Sequence, residues 1–214
     1  MKTKQGCFIT FEGIDGAGKT TQLTRLARRL DTAGARVVQT REPGGTFLGD
    51  KIRAMLLDSE NHMMTARTEA LLYAASRAQH VEEVIQPALA AGHIVLCDRF
   101  VDASIAYQGG GLQLGAQAVA AVNQFALSGC SPDLTILFHL PIATARTRLA
   151  ASRGQAALDR IELRDDAYFL RVQEAFMALA ARDPQRFRIV DAGLEPDVLE
   201  QEIHEIVWKY ITQE

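Results

Sequence analysis

The sequence predicts an α/β protein in which a five-stranded parallel sheet is flanked by helices on both faces. Two observations favour this class. Short apolar runs alternate along the chain with longer segments whose apolar residues recur at helical spacing. The first apolar run leads through a glycine-rich turn into a helical segment, which is the order of elements in a parallel βαβ unit. The 214 residues are expected to form a single domain, 1–214, because no linker-like or repeated segment divides them.

The five predicted strands are short apolar runs that end in a turn signal or a charged residue. They cover residues 7–12, 35–40, 93–98, 133–140 and 186–191. The run from His93 is almost continuously apolar until it closes on Asp98, as expected of a parallel strand buried on both faces. The second strand ends at a loop imposed by Pro43, Gly44 and Gly45.

The predicted helices are the segments with apolar residues at helical spacing. They cover residues 19–33, 48–58, 65–91, 115–128, 141–153, 165–182 and 196–212. Gly34 is expected to stop the first helix, Thr65 to cap the third, and Pro141 to occupy the first position of the fifth. The triple glycine at 109–111 is expected to break the chain.

Composition and charge narrow the classes of function. The chain is 48% hydrophobic and 23% charged, and its formal net charge of −3 argues against a nucleic-acid polymer as partner. It contains no run of 18 apolar residues, so no membrane span is expected. Cys7, Cys97 and Cys130 are widely spaced without a C-x-x-C pair, which favours buried reduced thiols and a cytoplasmic location.

The first turn carries a motif with a defined chemistry. Gly13, Gly18, Lys19 and Thr20 fill the pattern G-x-x-x-x-G-K-[ST] without a mismatch. Glycines allow main-chain N–H groups to surround an anion, and the helix that follows aims its positive end at the same point. The motif predicts a nucleoside triphosphate site formed by Gly13, Ile14, Asp15, Gly16, Ala17, Gly18, Lys19, Thr20 and Thr21.

A magnesium ion is expected with the triphosphate. The Thr20 hydroxyl is the side chain of the motif that ligates Mg²⁺. Asp98 ends a predicted buried strand and would bring a carboxylate to the same edge of the sheet. A purely structural ion pair between Asp98 and Arg99 is the alternative interpretation of these neighbours.

Two further segments place charged and aromatic side chains near this edge. The loop at 41–46 follows a parallel strand, where α/β sheets bind ligands, although a solvated surface turn would have the same composition. Glu69, Tyr73 and Arg77 recur every four residues and therefore project from one side of a helix. An aromatic face beside a guanidinium suits a base and a phosphate, whereas Tyr73 alone would also fit a core position.

These segments together resemble the bacterial thymidylate kinases, in order and along essentially the whole chain. The phosphate loop is shared by many NTPases, but Arg-Glu-Pro-Gly-Gly-Thr at 41–46 and Tyr-Gln-Gly-Gly-Gly at 107–111 are far more specific. The resemblance implies a P-loop kinase fold with a short lid at about residues 152–164 and a homodimeric assembly. It also implies the activity, which is transfer of a phosphoryl group from Mg-ATP to dTMP, giving dTDP for dTTP synthesis.

The resemblance assigns roles to individual residues. Tyr73 is expected to stack on thymine, Arg77 to donate to the base, and Tyr107 to crowd the position of a ribose 2′-hydroxyl. The implied dTMP site comprises Asp15, Glu42, Arg53, Tyr73, Arg77, Arg99, Ser104, Tyr107 and Gln108. The implied catalytic residues are Lys19, Arg99, Arg153, Glu42 and Asp15.

Members of this family differ in the location of the catalytic arginine. The phosphate loop here holds Gly16 and Ala17 at its centre, which implies the type whose arginine lies in the lid. Arg153 is then expected to bridge the phosphates and to contact ATP, with Arg160 either beside it or supporting the lid. The chain departs from the usual pattern at Leu112-Gln113 and at His139.

Two other functions stay open on the sequence. One is a kinase for another nucleotide or small molecule on the same scaffold. The other is a switch that hydrolyses a nucleoside triphosphate and transfers nothing. The guanine-reading Asn-Lys-x-Asp of such switches is absent, because Asn61 and Asn123 are the only asparagines and neither precedes a lysine.

Overall fold

The central strand of the sheet is β1, Cys7–Glu12, whose six residues are all buried. In the computed structural model, which describes residues 6–154 and 158–212, the strand order is β2-β3-β1-β4-β5 and every neighbouring pair is parallel. The remaining strands are β2 (Val37–Arg41), β3 (Ile94–Asp98), β4 (Leu134–His139) and β5 (Phe187–Asp191). The prediction of a five-stranded parallel sheet is therefore confirmed.

Helices connect consecutive strands and cover both faces. They are α1 (Lys19–Thr32), α2 (Phe47–Leu57), α3 (Ala66–His80), α4 (Gln86–Ala90), α5 (Val101–Ser104), α6 (Ala116–Leu127), α7 (Ile142–Arg153), α8 (Asp166–Arg182) and α9 (Pro196–Thr212). A 3₁₀ turn, Ser59–Asn61, follows α2, and π-helical turns cover Val81–Ile85 and Ile105–Gly111. No helix in the described part of the chain is both long and apolar enough to cross a membrane.

Both faces of the sheet are buried, as a parallel sheet requires. Along β1, Cys7, Ile9 and Phe11 belong to one apolar cluster, whereas Phe8 belongs to a second cluster on the opposite face. This alternation follows from the two-residue period of a strand. The sheet is consequently held rigidly between two helical layers, and the loops at its ends are positioned by it.

The long helical segment at 65–91 is divided by a π-helical turn. The Thr65 hydroxyl accepts from the Thr68 amide at 3.4 Å and caps α3, as predicted. The π turn Val81–Ile85 separates α3 from α4 and ends two residues before Pro87, the second residue of α4. Proline has no amide to bond one turn back, so the regular hydrogen-bond ladder cannot run unbroken through this point.

The prediction that the triple glycine breaks the chain is wrong. Gly109, Gly110 and Gly111 lie inside the π-helical turn that continues α5. A Cβ on Gly110 would lie 2.7 Å from the Cβ of Ala175, and one on Gly111 would collide with the Tyr168 ring. The glycines are thus required for close packing against α8.

Two smaller differences concern a helix start and the lid. Pro141 is the N-cap of α7 and not its first helical residue, since its ψ of 137° is extended. The predicted lid, 152–164, is only partly covered, because residues 155–157 lie outside the described residues.

The ends of three strands lie level at one edge of the sheet. Asp98 is paired in register with Phe11 on one side and with Arg41 on the other. Because the strands are parallel, the loops that follow β1, β2 and β3 emerge side by side at this edge. The motif-bearing loops of the sequence are therefore brought together.

Candidate active site

The loop from Gly13 to Gly18 connects β1 with α1 and is shaped by its glycines. Gly16 and Gly18 have φ values of 81° and 87°, which L-residues with a Cβ rarely adopt. A Cβ on Gly13 would lie 2.6 Å from the Phe138 carbonyl oxygen. The first turn of α1 has no side-chain cap, so its amides remain available to an anion.

Lys19 is folded back over this loop. Its ammonium donates to the Ile14 carbonyl at 2.9 Å, and the residue is only 5% exposed. Burial, together with the nearby positive charge of Arg99, lowers the pKa of Lys19. A bound polyanion would offset both effects, and this is the arrangement expected of a phosphate-binding lysine.

Thr20 and Asp98 meet at the end of β3. The Thr20 hydroxyl donates to the Asp98 carboxylate at 2.5 Å. No group of three histidine, cysteine or acidic side chains that could hold a metal occurs in the described residues. Magnesium is usually held by one or two protein oxygens together with phosphate oxygens, so this hard-oxygen pair fits a magnesium site completed by the nucleotide.

Arg99 links the phosphate loop to β3. Its Nη1 donates to the Gly13 carbonyl at 2.8 Å and its Nη2 to the Asp15 carboxylate at 2.7 Å. The backbone of Arg99 has a φ of 69°, an uncommon conformation for a residue with a side chain and one that is found at functional sites. Burial alone would raise the pKa of Asp15, but the charges of Arg99 and Lys19 lower it to about 2.

Two cavities open at this edge and share part of their walls. The first, here the phosphate-loop cavity, is lined by Asp15, Gly16, Gly18, Lys19, Thr20, Thr21, Leu23, Thr24, Gln39, Thr40, Arg41, Glu42, Arg53, Asp98, Arg99, Arg148 and Ser152. The second, here the aromatic cavity, is lined by Asp15, Glu42, Pro43, Arg53, Leu57, Tyr73, Arg77, Arg99, Phe100, Ala103, Ser104, Tyr107, Gln108, Asp159 and Ile161. Asp15, Glu42, Arg53 and Arg99 line both.

Sequence reasoning placed nine residues in an acceptor site, and all nine line the aromatic cavity. Of the residues placed around a triphosphate, the phosphate-loop cavity includes Asp15, Gly16, Gly18, Lys19, Thr20 and Thr21. Gly13, Ile14 and Ala17 form the loop but do not line this cavity. The structure thus brings together most of the predicted site residues at one edge of the sheet.

Arginine side chains converge where the two cavities join. Arg53 donates to the Pro43 carbonyl at 3.0 Å. Burial lowers the pKa of Arg53, and the positive charges of Arg41 and Arg99 lower it further. Guanidinium groups that repel one another are stabilised by an anion between them, so the junction has the character of a phosphate site.

Glu42 is anchored by a network of buried side chains. Arg77 donates to its Oε2 through Nε at 2.8 Å, and the Nη2 atom of Arg77 lies 2.7 Å from the same oxygen as an ion pair. His80 lies 3.0 Å from its Oε1 and 2.6 Å from the Thr40 hydroxyl. Arg77 also bonds Asn123 and the Phe100 carbonyl, so each of its nitrogens has a protein partner.

The far end of the aromatic cavity carries unpaired polar atoms. Ser104 Oγ and Gln108 Oε1 are buried and have no hydrogen-bond partner among the residues that the structure describes. The Tyr107 ring is 5% exposed, lies 4.8 Å from the Arg99 guanidinium carbon, and has edge contacts with Tyr168 and Phe176. Buried polar groups normally find partners, so unpaired ones beside a cavity indicate that a ligand supplies them.

The lid arginines have different surroundings. Arg153, at the end of α7, pairs with Glu162 and lies 3.6 Å from Asp159, and it lines neither cavity in this structure. Arg160 pairs with Glu69 at 2.8 Å and donates to the Leu56 carbonyl at 2.9 Å. Of the two roles considered for Arg160, support of the lid agrees with these contacts.

Sequence reasoning did not identify several residues of this site. His80 completes the series Glu69, Tyr73 and Arg77 on one side of α3, and its spacing could have revealed it. Arg148 reaches the phosphate-loop cavity from α7. Ser152 and Asp159 lie within the predicted lid, 152–164, without an individual role, and they line the phosphate-loop cavity and the aromatic cavity respectively. Nothing in the local sequence distinguishes Arg148 from the other arginines of α7.

Comparisons of this chain with a family model and with individual proteins point to the same family. A family model described as thymidylate kinase matches residues 11–203. A thymidylate kinase of Exiguobacterium sibiricum is 53% identical over 206 residues, which cover 96% of each chain. A thymidylate kinase of Geobacter sulfurreducens is 51% identical over 88% of this chain and 90% of its own. A third, from Enterococcus faecalis, is 46% identical over 96% of this chain and 98% of its own.

Proposed function

The chain belongs to the thymidylate kinase family, and from this premise we propose that it phosphorylates dTMP to dTDP with ATP as the donor. The observation that carries the proposal is the junction of the two cavities, where Asp15, Glu42, Arg53 and Arg99 line both. A donor phosphate and an acceptor phosphate bound in these cavities would meet at this junction. Such an arrangement suits direct transfer between two bound nucleotides.

The phosphate-loop cavity is proposed to hold ATP. The loop amides and Lys19 would contact the β- and γ-phosphates. Mg²⁺ would be held by Thr20, with Asp98 bonded to the Thr20 hydroxyl, and would supply positive charge to the transferring group. The lowered pKa of Lys19 supports this assignment, because a phosphate would relieve the burial and repulsion that cause the shift.

The aromatic cavity is proposed to hold dTMP. Its phosphate would lie between Arg53 and Arg99, and its base would stack on Tyr73 near Ser104 and Gln108. Tyr107 is fixed between Arg99 and the aromatic rings of α8, so it cannot easily move aside for a 2′-hydroxyl. These features support a preference for a deoxyribonucleotide.

Catalysis is proposed to rest on alignment and charge. The acceptor is an anionic phosphate oxygen, so no strong general base is required. Lys19 and Arg99 would spread positive charge over the transferring phosphoryl group, while the Arg77 pair and His80 keep Glu42 beside the acceptor. Arg153 is proposed to leave Glu162 and bridge the phosphates when both nucleotides are bound, closing the lid against water.

A homodimer is proposed from the exposed apolar surface of α2, α3 and α6. Phe125 is 92% exposed and Leu71 58% exposed, and α3 packs against both of the other helices. Exposed side chains of this size commonly mark an interface. Substitution of Phe125 with Glu is expected to shift the mass measured by light scattering from dimer to monomer; an unchanged mass would place the interface elsewhere.

A cytoplasmic location is proposed on independent grounds. Cys97 and Cys130 are buried free thiols in the structure. Thiols without disulfide partners are typical of reducing compartments.

A substrate panel tests the proposed function directly. ADP release from Mg-ATP is measured with dTMP, dUMP, UMP, dCMP, dGMP and thymidine. The highest kcat/KM is expected with dTMP, and slow turnover is expected without any acceptor. Preference for another monophosphate or for thymidine would indicate a different kinase, and acceptor-independent ADP release would indicate a hydrolytic switch.

A further inference from the structure

Glu69 is a buried carboxylate to which the proposed mechanism gives no role. It lies in the first turn of α3 and is 1% exposed. Its Oε1 accepts from Gln108 Nε2 at 2.9 Å. Its Oε2 accepts from Arg164 at 2.5 Å and pairs with Arg160 at 2.8 Å. One side chain therefore connects α3, the π turn after α5, and the segment that precedes α8.

The carboxylate allows only one orientation of the Gln108 amide. An ionised carboxylate accepts hydrogen bonds and cannot donate them, so the Nε2 group of Gln108 must face Glu69. The Oε1 atom is then directed away from Glu69. It is buried without a hydrogen-bond partner in the described part of the chain, and Gln108 lines the aromatic cavity. The cavity is thereby given a fixed hydrogen-bond acceptor.

We propose that Glu69 is a positioning residue that sets base specificity by holding Gln108 as an acceptor toward the substrate base. The inference rests on the proposed function. Thymine and uracil carry an N3–H donor, which pairs with this oxygen. Cytosine carries a lone pair at N3, which would face the Gln108 oxygen without a proton between them. The geometry thus favours dTMP and dUMP over dCMP.

The two arginines make the effect of a conservative substitution predictable. In Glu69→Gln, Arg164 can only donate, so it would hold the new amide with its oxygen toward it, beside the positive charge of Arg160. The new NH₂ group would then face Gln108 and draw its oxygen inward. Gln108 would turn its own NH₂ toward the cavity, which exchanges an acceptor for a donor.

The test compares the kinetics of Glu69→Gln with those of the wild type, using dTMP, dUMP and dCMP at saturating Mg-ATP. The ratio of kcat/KM for dTMP to that for dCMP is expected to fall by about tenfold or more, mainly through the KM of dTMP. The KM of ATP is expected to change less than about twofold. The matched control is Glu82→Gln, an exposed carboxylate in the same helical segment, which should leave the ratio unchanged.

A folded Glu69→Gln variant, judged by circular dichroism and thermal unfolding, that keeps the wild-type ratio would overturn the inference. If that variant does not fold, Gln108→Met supplies the test, because it leaves the pairs of Glu69 with the arginines intact. Loss of discrimination between dTMP and dCMP supports the inference, and an unchanged ratio overturns it. Failure of the wild type to phosphorylate dTMP would instead refute the proposed function, so the two outcomes are distinguishable.

Discussion

The guanidinium of Arg99 donates to the carboxylate of Asp15 at 2.7 Å, and both residues line the phosphate-loop cavity and the aromatic cavity. The same guanidinium donates to the Gly13 carbonyl at 2.8 Å. These contacts hold one planar cation at the point where two phosphates are proposed to meet.

Replacement of Arg99 with lysine is expected to lower kcat/KM for dTMP by about 100-fold. Lysine keeps the charge but cannot reproduce a planar fork of donors, and each charge-assisted bond is worth about 1.5–3 kcal/mol. Steady-state kinetics with both substrates varied would measure the loss. Arg182→Lys, an exposed substitution on α8, is the control. If the two variants had similar kcat/KM values for dTMP, Arg99 would have no role at the reaction centre.

The lowered pKa of Asp15 predicts a pH-dependent contribution to stability. An unperturbed aspartate titrates near pH 3.9, whereas Arg99 and Lys19 lower the pKa of Asp15 in the folded protein to about 2 against the effect of burial. The contribution is therefore complete above about pH 5 and is lost as the pH falls through about 2. The free energies of unfolding in urea of the wild type and of Asp15→Asn should converge as the pH falls across this window. A difference that stays constant with pH would contradict the assignment.

Replacement of Arg153 with alanine is expected to lower kcat by about 100-fold while changing the KM of dTMP much less. A charge that contacts the phosphates only in the closed state stabilises the transition state more than the ground state. Arg153 lies 37% exposed beside Glu162 in this structure, so its removal should leave the fold intact. A rise in KM with unchanged kcat would limit Arg153 to substrate binding.

Substitutions of Tyr107 should separate the effect of its ring from that of its hydroxyl. Tyr107→Phe keeps the ring and is expected to retain the preference for dUMP over UMP. Tyr107→Ala should relax this preference and also lower stability by about 3–5 kcal/mol, because a buried aromatic ring is lost. The two preferences are measured as ratios of kcat/KM. An unchanged ratio in a folded Tyr107→Ala variant would exclude the ring from the sugar site.

Much of the fold was predictable because it depends on local signals. The start of the βαβ unit is an example, because its signals lie close together in the sequence. An apolar run before Gly13 predicts the strand, and apolar residues at helical spacing after it predict the helix. Register between parallel strands then brings Asp98 level with Phe11 and Arg41, so the loops meet at one edge. Asp15, Glu42 and Arg99, which follow these three strands, share a cavity for this reason.

Features that depend on distant packing could not be predicted. The local sequence at 109–111 predicts a turn, yet these glycines lie in a helical turn. Glycine is needed there because Tyr168 and Ala175 occupy the space that side chains would fill. The role of Glu69 depends on Gln108, Arg160 and Arg164, which are 39, 91 and 95 residues away in the chain. No periodicity in the sequence joins such partners.

The wall that the two cavities share has a consequence for inhibition. It is formed by Asp15, Glu42, Arg53 and Arg99. A compound that contacts all four would span both proposed nucleotide sites with a single molecule and gain from linked binding. Resistance substitutions at these positions would also weaken the proposed binding of both nucleotides. An inhibitor directed at this shared wall would therefore leave few resistance substitutions that preserve activity.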